Sequence, residues 1–116
     1  MLDRFTREKA VKATFEDNPR VEVVYFDGLL VDFLKSRRVT DNVRGLRNRQ
    51  DYDYEQNMFE FNRKLYPEIK NIYIQAENEF LNISSHRVRE IILSGGDFSE
   101  LLDKNAYEIV KAALKL

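Results

Sequence analysis

Cysteine is missing from this chain altogether, which excludes a disulfide framework, a thiolate zinc site and cysteine nucleophilic chemistry. Its stability must come from packing. Histidine occurs once, as His86, and a lone histidine is more often a surface residue than a catalyst. Long apolar runs are absent too: no window reaches the ~18 residues of a membrane span, and Met1 to Lys12 alternates charged with apolar residues where a signal peptide needs an unbroken apolar core. The expectation is a soluble, cytoplasmic protein with no membrane partner. Charge of neither sign is in excess. Lys plus Arg total 19 against 20 Asp plus Glu, a net charge of -1, so no long-range field draws the chain to nucleic acid or an anionic membrane. Any anion binding must be local.

What is present suits one globular core. The 116 residues are 43% hydrophobic and 34% charged, and no repeat, low-complexity tract or linker interrupts them, so residues 1–116 are expected to form a single α/β domain. Thr6 can cap a helix with Ala10, Val11 and Phe15 on one face, ended by Asn18-Pro19. Val21 to Phe26 is mostly β-branched and aromatic, a pattern that predicts a strand covered on both sides. Asp27-Gly28 turns the chain, and Leu30, Phe33 and Leu34 mark a short helix. Val39 to Val43 is predicted as a strand, although Asp41-Asn42 at its centre are poor strand formers.

From about Asp51 to Tyr66 the spacing of Tyr54, Met58, Phe61 and Leu65 predicts a long amphipathic helix with these residues inward, stopped at Pro67. Tyr52, Phe59 and Tyr66 recur every seven residues, and a core or subunit-interface face explains them better than a coiled-coil seam or a base-stacking platform. Ile72-Tyr73-Ile74 reads as a strand. Ser84 or Ser85 caps a helix with Val88, Ile91 and Ile92 inward, ended by Gly95-Gly96, and a last helix from about Asp103 turns Tyr107, Val110 and Leu114 to the core. Alternating helices and strands imply a parallel sheet whose ligand sits at the carboxyl ends of the strands.

Two motifs fall near strand exits. In Arg44-Gly45-Leu46-Arg47 the glycine lets backbone N–H groups approach an anion and the arginines offer bidentate donors to phosphate. Such a tetrapeptide alone is as readily a solvated basic face, with Lys35, Arg37, Arg38 and Arg49 nearby. Ser84-Ser85 combine hydroxyls with free N–H groups at a helix start, which suits phosphate, although serine there is ordinarily just a cap. Asp51, Asp53 and Glu55 suggest a metal cluster, yet residues two apart on a helix point to different sides, so the three supply N-terminal helix charge instead and no residue is assigned to a metal.

The run Arg44 to Glu55, followed at the family's distance by Ile83-Ser84-Ser85 without an insertion, resembles the phosphate-gripping half of a bacterial phosphopantetheine adenylyltransferase. The resemblance implies an incomplete Rossmann-like fold, a parallel sheet with flanking helices, because the family's opening strand with its Thr-Phe-Asp turn and the helix bearing His-x-Gly-His have no counterpart here. Apolar residues are usual in the family where this chain has Asp41-Asn42. By resemblance, Gly45, Leu46, Arg47, Glu55, Phe80, Leu81, Asn82, Ile83, Ser84, Ser85 and His86 bind the nucleotide, and Leu30 and Arg44 bind the phosphopantetheine. His86 replaces a small hydroxyl residue common beside the serines.

The implied reaction is adenylyl transfer from ATP, with Mg2+, to 4'-phosphopantetheine, giving dephospho-coenzyme A and pyrophosphate. The implied partners are ATP and 4'-phosphopantetheine or coenzyme A, in a homo-oligomer with no nucleic acid. The family's transition-state histidine and lysine and its acceptor-positioning threonine match nothing here, so no catalytic residue is assigned and the chain alone is expected to be weakly active or inactive. The alternatives are an inactive nucleotide-phosphate or coenzyme A binding module, a truncated fragment of the enzyme, or an unrelated α/β interaction domain with an accidental match.

Overall fold

In the computed structural model, which describes residues Met1 to Leu116, helices and strands follow one another in a mixed order. The elements are α1 (Arg4–Thr14), α2 (Leu30–Ser36), β1 (Asp41–Leu46), α3 (Arg49–Leu65), β2 (Lys70–Gln75), α4 (Ser85–Leu93) and α5 (Lys104–Ala113), with 3-10 turns at Asn78–Phe80 and Ser99–Leu101. They fall into two compact units: a terminal unit of Met1–Tyr25 with Ile83–Leu116, and a central unit of Phe26–Asn82. None of the helices is long and apolar enough to cross a membrane.

The central unit is α/β. Its sheet consists of β1 and β2, parallel and in register from Asp41 opposite Lys70 to Leu46 opposite Gln75. Side chains alternate across a strand, so Asn42, Arg44 and Leu46 share one face with Asn71 and Tyr73, and α3 packs there. Tyr73 meets Tyr52 edge-on at 5.7 Å and donates its hydroxyl to Gln56 at 2.6 Å. Tyr66 and Ile69 are buried with Val31 and Leu34 of α2, Phe59 packs against them, and the Tyr66 hydroxyl donates to the carbonyl of Val39. On the other face Val43, Ile72 and Ile74 stay exposed.

Three expectations change here. The inward face of α3 carries Glu55, Phe59 and Asn62, with Tyr66 directly after the helix, whereas Tyr54, Met58, Phe61 and Leu65 are exposed. Phe59 and Tyr66 of the seven-residue repeat therefore mark the core stripe, Tyr52 stays exposed, and the apolar 4-3-4 pattern faces outward, because the polar groups on β1 draw polar partners from α3. The strand at Val39–Val43 moves to Asp41–Leu46 and so includes Arg44 and Gly45. Asp41 lies exposed and the Asn42 amide donates to the Asn71 amide oxygen at 3.1 Å, so neither leaves an unpaired polar group in a core. Finally, Val21–Phe26 joins no sheet. An extended run without a hydrogen-bonded neighbour gains no ladder. Its aromatics pack locally instead, Tyr25 under the Arg4 guanidinium at 3.8 Å and Phe26 stacked on Phe33 at 4.6 Å.

The terminal unit is helical. α1 packs along α5, and Ala10, Phe98, Ala106 and Val110 form its buried core with Val88, Ile91 and Ile92 of α4 against them. The cap of α1 is Asp3, which accepts the Thr6 N–H at 2.7 Å; Thr6 itself lies inside the helix. Ser84 caps α4, and Gly95 follows that helix at φ 78°, a left-handed turn that glycine takes without strain. Asp103 caps α5 by accepting the N–H groups of Asn105 at 2.9 Å and Ala106 at 3.3 Å. Since α5 carries two of the core residues, Asp103→Ala is expected to cost about 0.5–2 kcal/mol of stability in chemical denaturation, and a loss near zero would show that α5 is held by packing alone.

Candidate functional site

The carboxyl end of β1 runs into α3 through a two-residue connection, and this shortness concentrates charge. Asn48 caps α3 by accepting the Asp51 N–H at 2.9 Å. Asp51, one turn in, then faces back toward the strand exit. Its Oδ2 accepts the Arg47 backbone N–H at 3.0 Å and the Arg47 Nε–H at 2.9 Å, while Oδ1 accepts from Nη2 at 3.1 Å. One turn further, Glu55 receives Arg44: Nε to Oε2 and Nη2 to Oε1, both 2.9 Å. These are fork-to-fork pairs, the strong geometry for arginine and a carboxylate.

The electrostatics follow from those contacts. Hydrogen bonding to Glu55 holds the Arg44 guanidinium above its usual range, outweighing the opposing effect of burial. The Arg47 side chain, then its backbone N–H, holds the Asp51 carboxyl below the usual carboxylate range. Glu55 is itself buried, at 9% exposure, a position that a carboxylate occupies at acceptable cost only when paired.

Of the residues assigned from sequence, Leu30, Arg44 and Glu55 line one small cavity of about 90 Å³ together with Asn42, Tyr54, Met58, Phe59, Asn62 and Asn71. Gly45 lies on the exposed sheet face with open space where a side chain would be, and Leu46 is buried beneath the strand exit. Phe80 is exposed in a 3-10 turn, followed by Leu81 and Asn82. Those residues belong to the central unit, whereas Ile83, Ser84, Ser85 and His86 belong to the terminal unit. There Ile83, Ser84 and Ser85 line a larger, mostly apolar cavity of about 520 Å³ with Arg7, Arg89 and the core-side residues of α4 and α5. Ser84 Oγ accepts the Arg87 N–H at 3.1 Å, and the first amides of α4 present the helix's positive end. His86 is exposed and pairs through Nε2 with Glu90 at 2.8 Å.

A resident cation does not fit the acidic start of α3. Asp51 is bound to Arg47, Asp53 to Arg49 at 3.2 Å and Glu55 to Arg44, so each carboxylate faces its own guanidinium and the three do not converge. Sequence reasoning missed Asn62, which is buried at the cavity wall. The signal was available: Glu55 and Asn62 stand four and three residues from Phe59, and Tyr66 follows Asn62 by four, which is the spacing of one helix face.

No model of a protein family matches the sequence. Among characterised proteins, a phosphopantetheine adenylyltransferase of Petrotoga mobilis is 40% identical over 98 residues, 84% of this chain and 60% of that protein. The protein of the same name from Aromatoleum aromaticum is 41% identical over 99 residues (84% and 61%), and that from Anaeromyxobacter dehalogenans 32% over 108 residues (93% and 66%). The chain thus spans between three fifths and two thirds of the length of these relatives.

The depressed Asp51 carboxyl makes a signed prediction. Its folded pKa lies below the ordinary value of about 3.9, so its contribution to stability is complete at neutral pH and is lost as pH falls below about 4 through the folded pKa. Asp3 and Asp97 are shifted the same way, chiefly by the N–H groups of Thr6 and Ser99. Melting temperature followed by circular dichroism from pH 7 to pH 2 should therefore fall less steeply on the acid side in Asp51→Asn than in the wild type, without becoming flat. Superimposable acid limbs would mean that the Arg47–Asp51 contact is not coupled to folding.

Proposed function

The chain belongs by sequence to the phosphopantetheine adenylyltransferase family, and from that premise we propose that it serves adenylyl transfer from ATP to 4'-phosphopantetheine, in the cytoplasm and within a homo-oligomer. In this reaction a phosphate oxygen of the acceptor attacks the α-phosphorus of ATP, the bond to the β-phosphate breaks, and dephospho-coenzyme A and pyrophosphate result. No covalent enzyme intermediate is needed, so catalysis consists of aligning the two anionic substrates and compensating their charge. Magnesium belongs to the substrate in this reading, because the α3 carboxylates are engaged by arginines.

The observation that carries the reading is a pair of arginines, Arg44 in the carboxyl half of β1 and Arg47 directly after it, oriented by carboxylates two turns and one turn into the following helix. That end of a parallel sheet is where ligands bind in α/β folds, and a held guanidinium loses little further freedom when it meets a phosphate. Arg47 is assigned to the ATP phosphates, and Arg44 with Leu30 to the phosphopantetheine. Ser84, Ser85 and the opening amides of α4 are assigned to the triphosphate on the strength of the helix N-terminus and the family motif. Gly45 leaves room for close approach.

Arg47→Ala should weaken ATP binding, measured by calorimetry on a variant shown to be folded, by about 1.5–3 kcal/mol, the value of a charge-assisted hydrogen bond. Unchanged affinity would remove Arg47 from the site. A pyrophosphate-release assay with both substrates separates enzyme from binding module. The chain alone should turn over at least about 100-fold more slowly than a full-length relative, the cost of one missing oxyanion donor, and a rate within about tenfold of the relative would mean that groups of this chain supply the chemistry themselves.

A further inference from the structure

Arginine carries five N–H donors in a planar fork, and the pairing with Glu55 uses only part of them. Nε–H and one Nη2–H point to the two carboxylate oxygens at 2.9 Å, which leaves the Nη1 group and the second Nη2–H along the end of the fork. The two partners differ in burial: the Arg44 side chain is 42% exposed and that of Glu55 only 12%. A buried carboxylate therefore grips one edge of a guanidinium that is itself half exposed, and both residues line the cavity shared with Leu30, Asn62 and Met58. The backbone on both sides is fixed, Arg44 by the β1–β2 ladder opposite Tyr73 and Glu55 by the second turn of a 17-residue helix.

We propose that Glu55 is a positioning residue, which sets the outer edge of the Arg44 guanidinium for the phosphate of the acceptor. Each of its two oxygens accepts one hydrogen bond from Arg44, at 2.9 Å, so the acid fixes both the place and the plane of the guanidinium. The proposal rests on the function proposed above and gives Glu55 a role beside the nucleotide contact that family resemblance implies. It also separates two things a carboxylate can do beside a binding arginine. As a mere counter-charge, Glu55 would lower the attraction of Arg44 for any anion, and removing its charge would strengthen binding. As a positioning group it fixes a long side chain whose freedom would otherwise be lost on binding, and removing one of its two contacts weakens binding.

A double-mutant cycle decides between them. Affinities for 4'-phosphopantetheine and for ATP are measured by calorimetry for the wild type, Glu55→Gln, Arg44→Ala and the double variant, with Glu55→Asp as a second perturbation that keeps the charge but shortens the reach. The Arg44 Nε–H signal in nitrogen-15 NMR spectra reports the grip itself, and a wild-type signal protected from exchange is expected to be lost or broadened in both Glu55 variants. Glu55→Gln should weaken 4'-phosphopantetheine binding about tenfold, within the range of one charge-assisted hydrogen bond, and Glu55→Asp should do the same. Neither should matter by more than about twofold once Arg44 is alanine. Tighter or unchanged 4'-phosphopantetheine binding in Glu55→Gln overturns the proposal, and so does a loss of that binding that persists in full in the Arg44→Ala background. A wild-type chain that binds neither ligand overturns the proposed function and this inference with it, whereas ligand binding that ignores Glu55 overturns the inference alone.

Discussion

The fork-to-fork pair between Arg44 and Glu55 decides how the central unit is arranged. Residue alternation puts Arg44 on the face of β1 that also carries Asn42 and the buried Leu46. A helix laid over that face must bring an acid to the guanidinium, since an unpaired charge there is costly. Glu55 meets the requirement, and rotation of α3 to place it inward carries Phe59, Asn62 and Tyr66 along at helical spacing. The more apolar stripe of Tyr54, Met58, Phe61 and Leu65 is then forced outward. Apolar burial alone would have rotated the helix the other way.

This explains which parts of the fold were legible in the sequence. The α5 helix was readable because capping residue, apolar spacing and buried positions agree in Asp103, Ala106, Tyr107 and Val110. The bounds of α3 were also close, about Asp51 to Tyr66 expected against Arg49–Leu65 found, but its facing was not, because periodicity of apolar residues is blind to a partner strand that carries an arginine. Val21–Phe26 has strand composition and no strand: propensity describes a fit to a pleated surface, and a neighbour must supply that surface. In the candidate site the arginines and serines were visible as motifs. What no motif could show is that the acids downstream are the arginines' own partners, since Glu55 lies 11 residues from Arg44.

The terminal unit follows a simpler logic. Its core holds only apolar side chains, Ala10, Phe98, Ala106 and Val110, and the helix starts are held by Asp3, Ser84 and Asp103, each of which accepts backbone N–H groups. Small residues on facing positions of α1 and α5 permit close approach of the two helices, so packing and caps act at separate places and substitutions there should combine additively. In the central unit the same separation fails, because Arg44 and Glu55 belong to the packing and to the candidate site together.

Three arginine–carboxylate pairs stand side by side at the start of α3, and their burial differs enough to give them different weight. Arg49 and Asp53 are 84% and 61% exposed, Arg47 and Asp51 35% and 23%, and Arg44 and Glu55 42% and 12%. An exposed pair contributes about 0.2–1 kcal/mol and is screened by salt, so Arg49–Asp53 can be lost with little consequence. Removing one partner of a buried pair costs about 3–5 kcal/mol, chiefly because the other charge is stranded. Glu55 approaches that limit, while Arg44, more exposed, can turn part of its charge to solvent or to a ligand. The asymmetry gives the pair a direction: the acid is fixed by the fold, and the arginine, which keeps the larger exposure, is fixed by the acid.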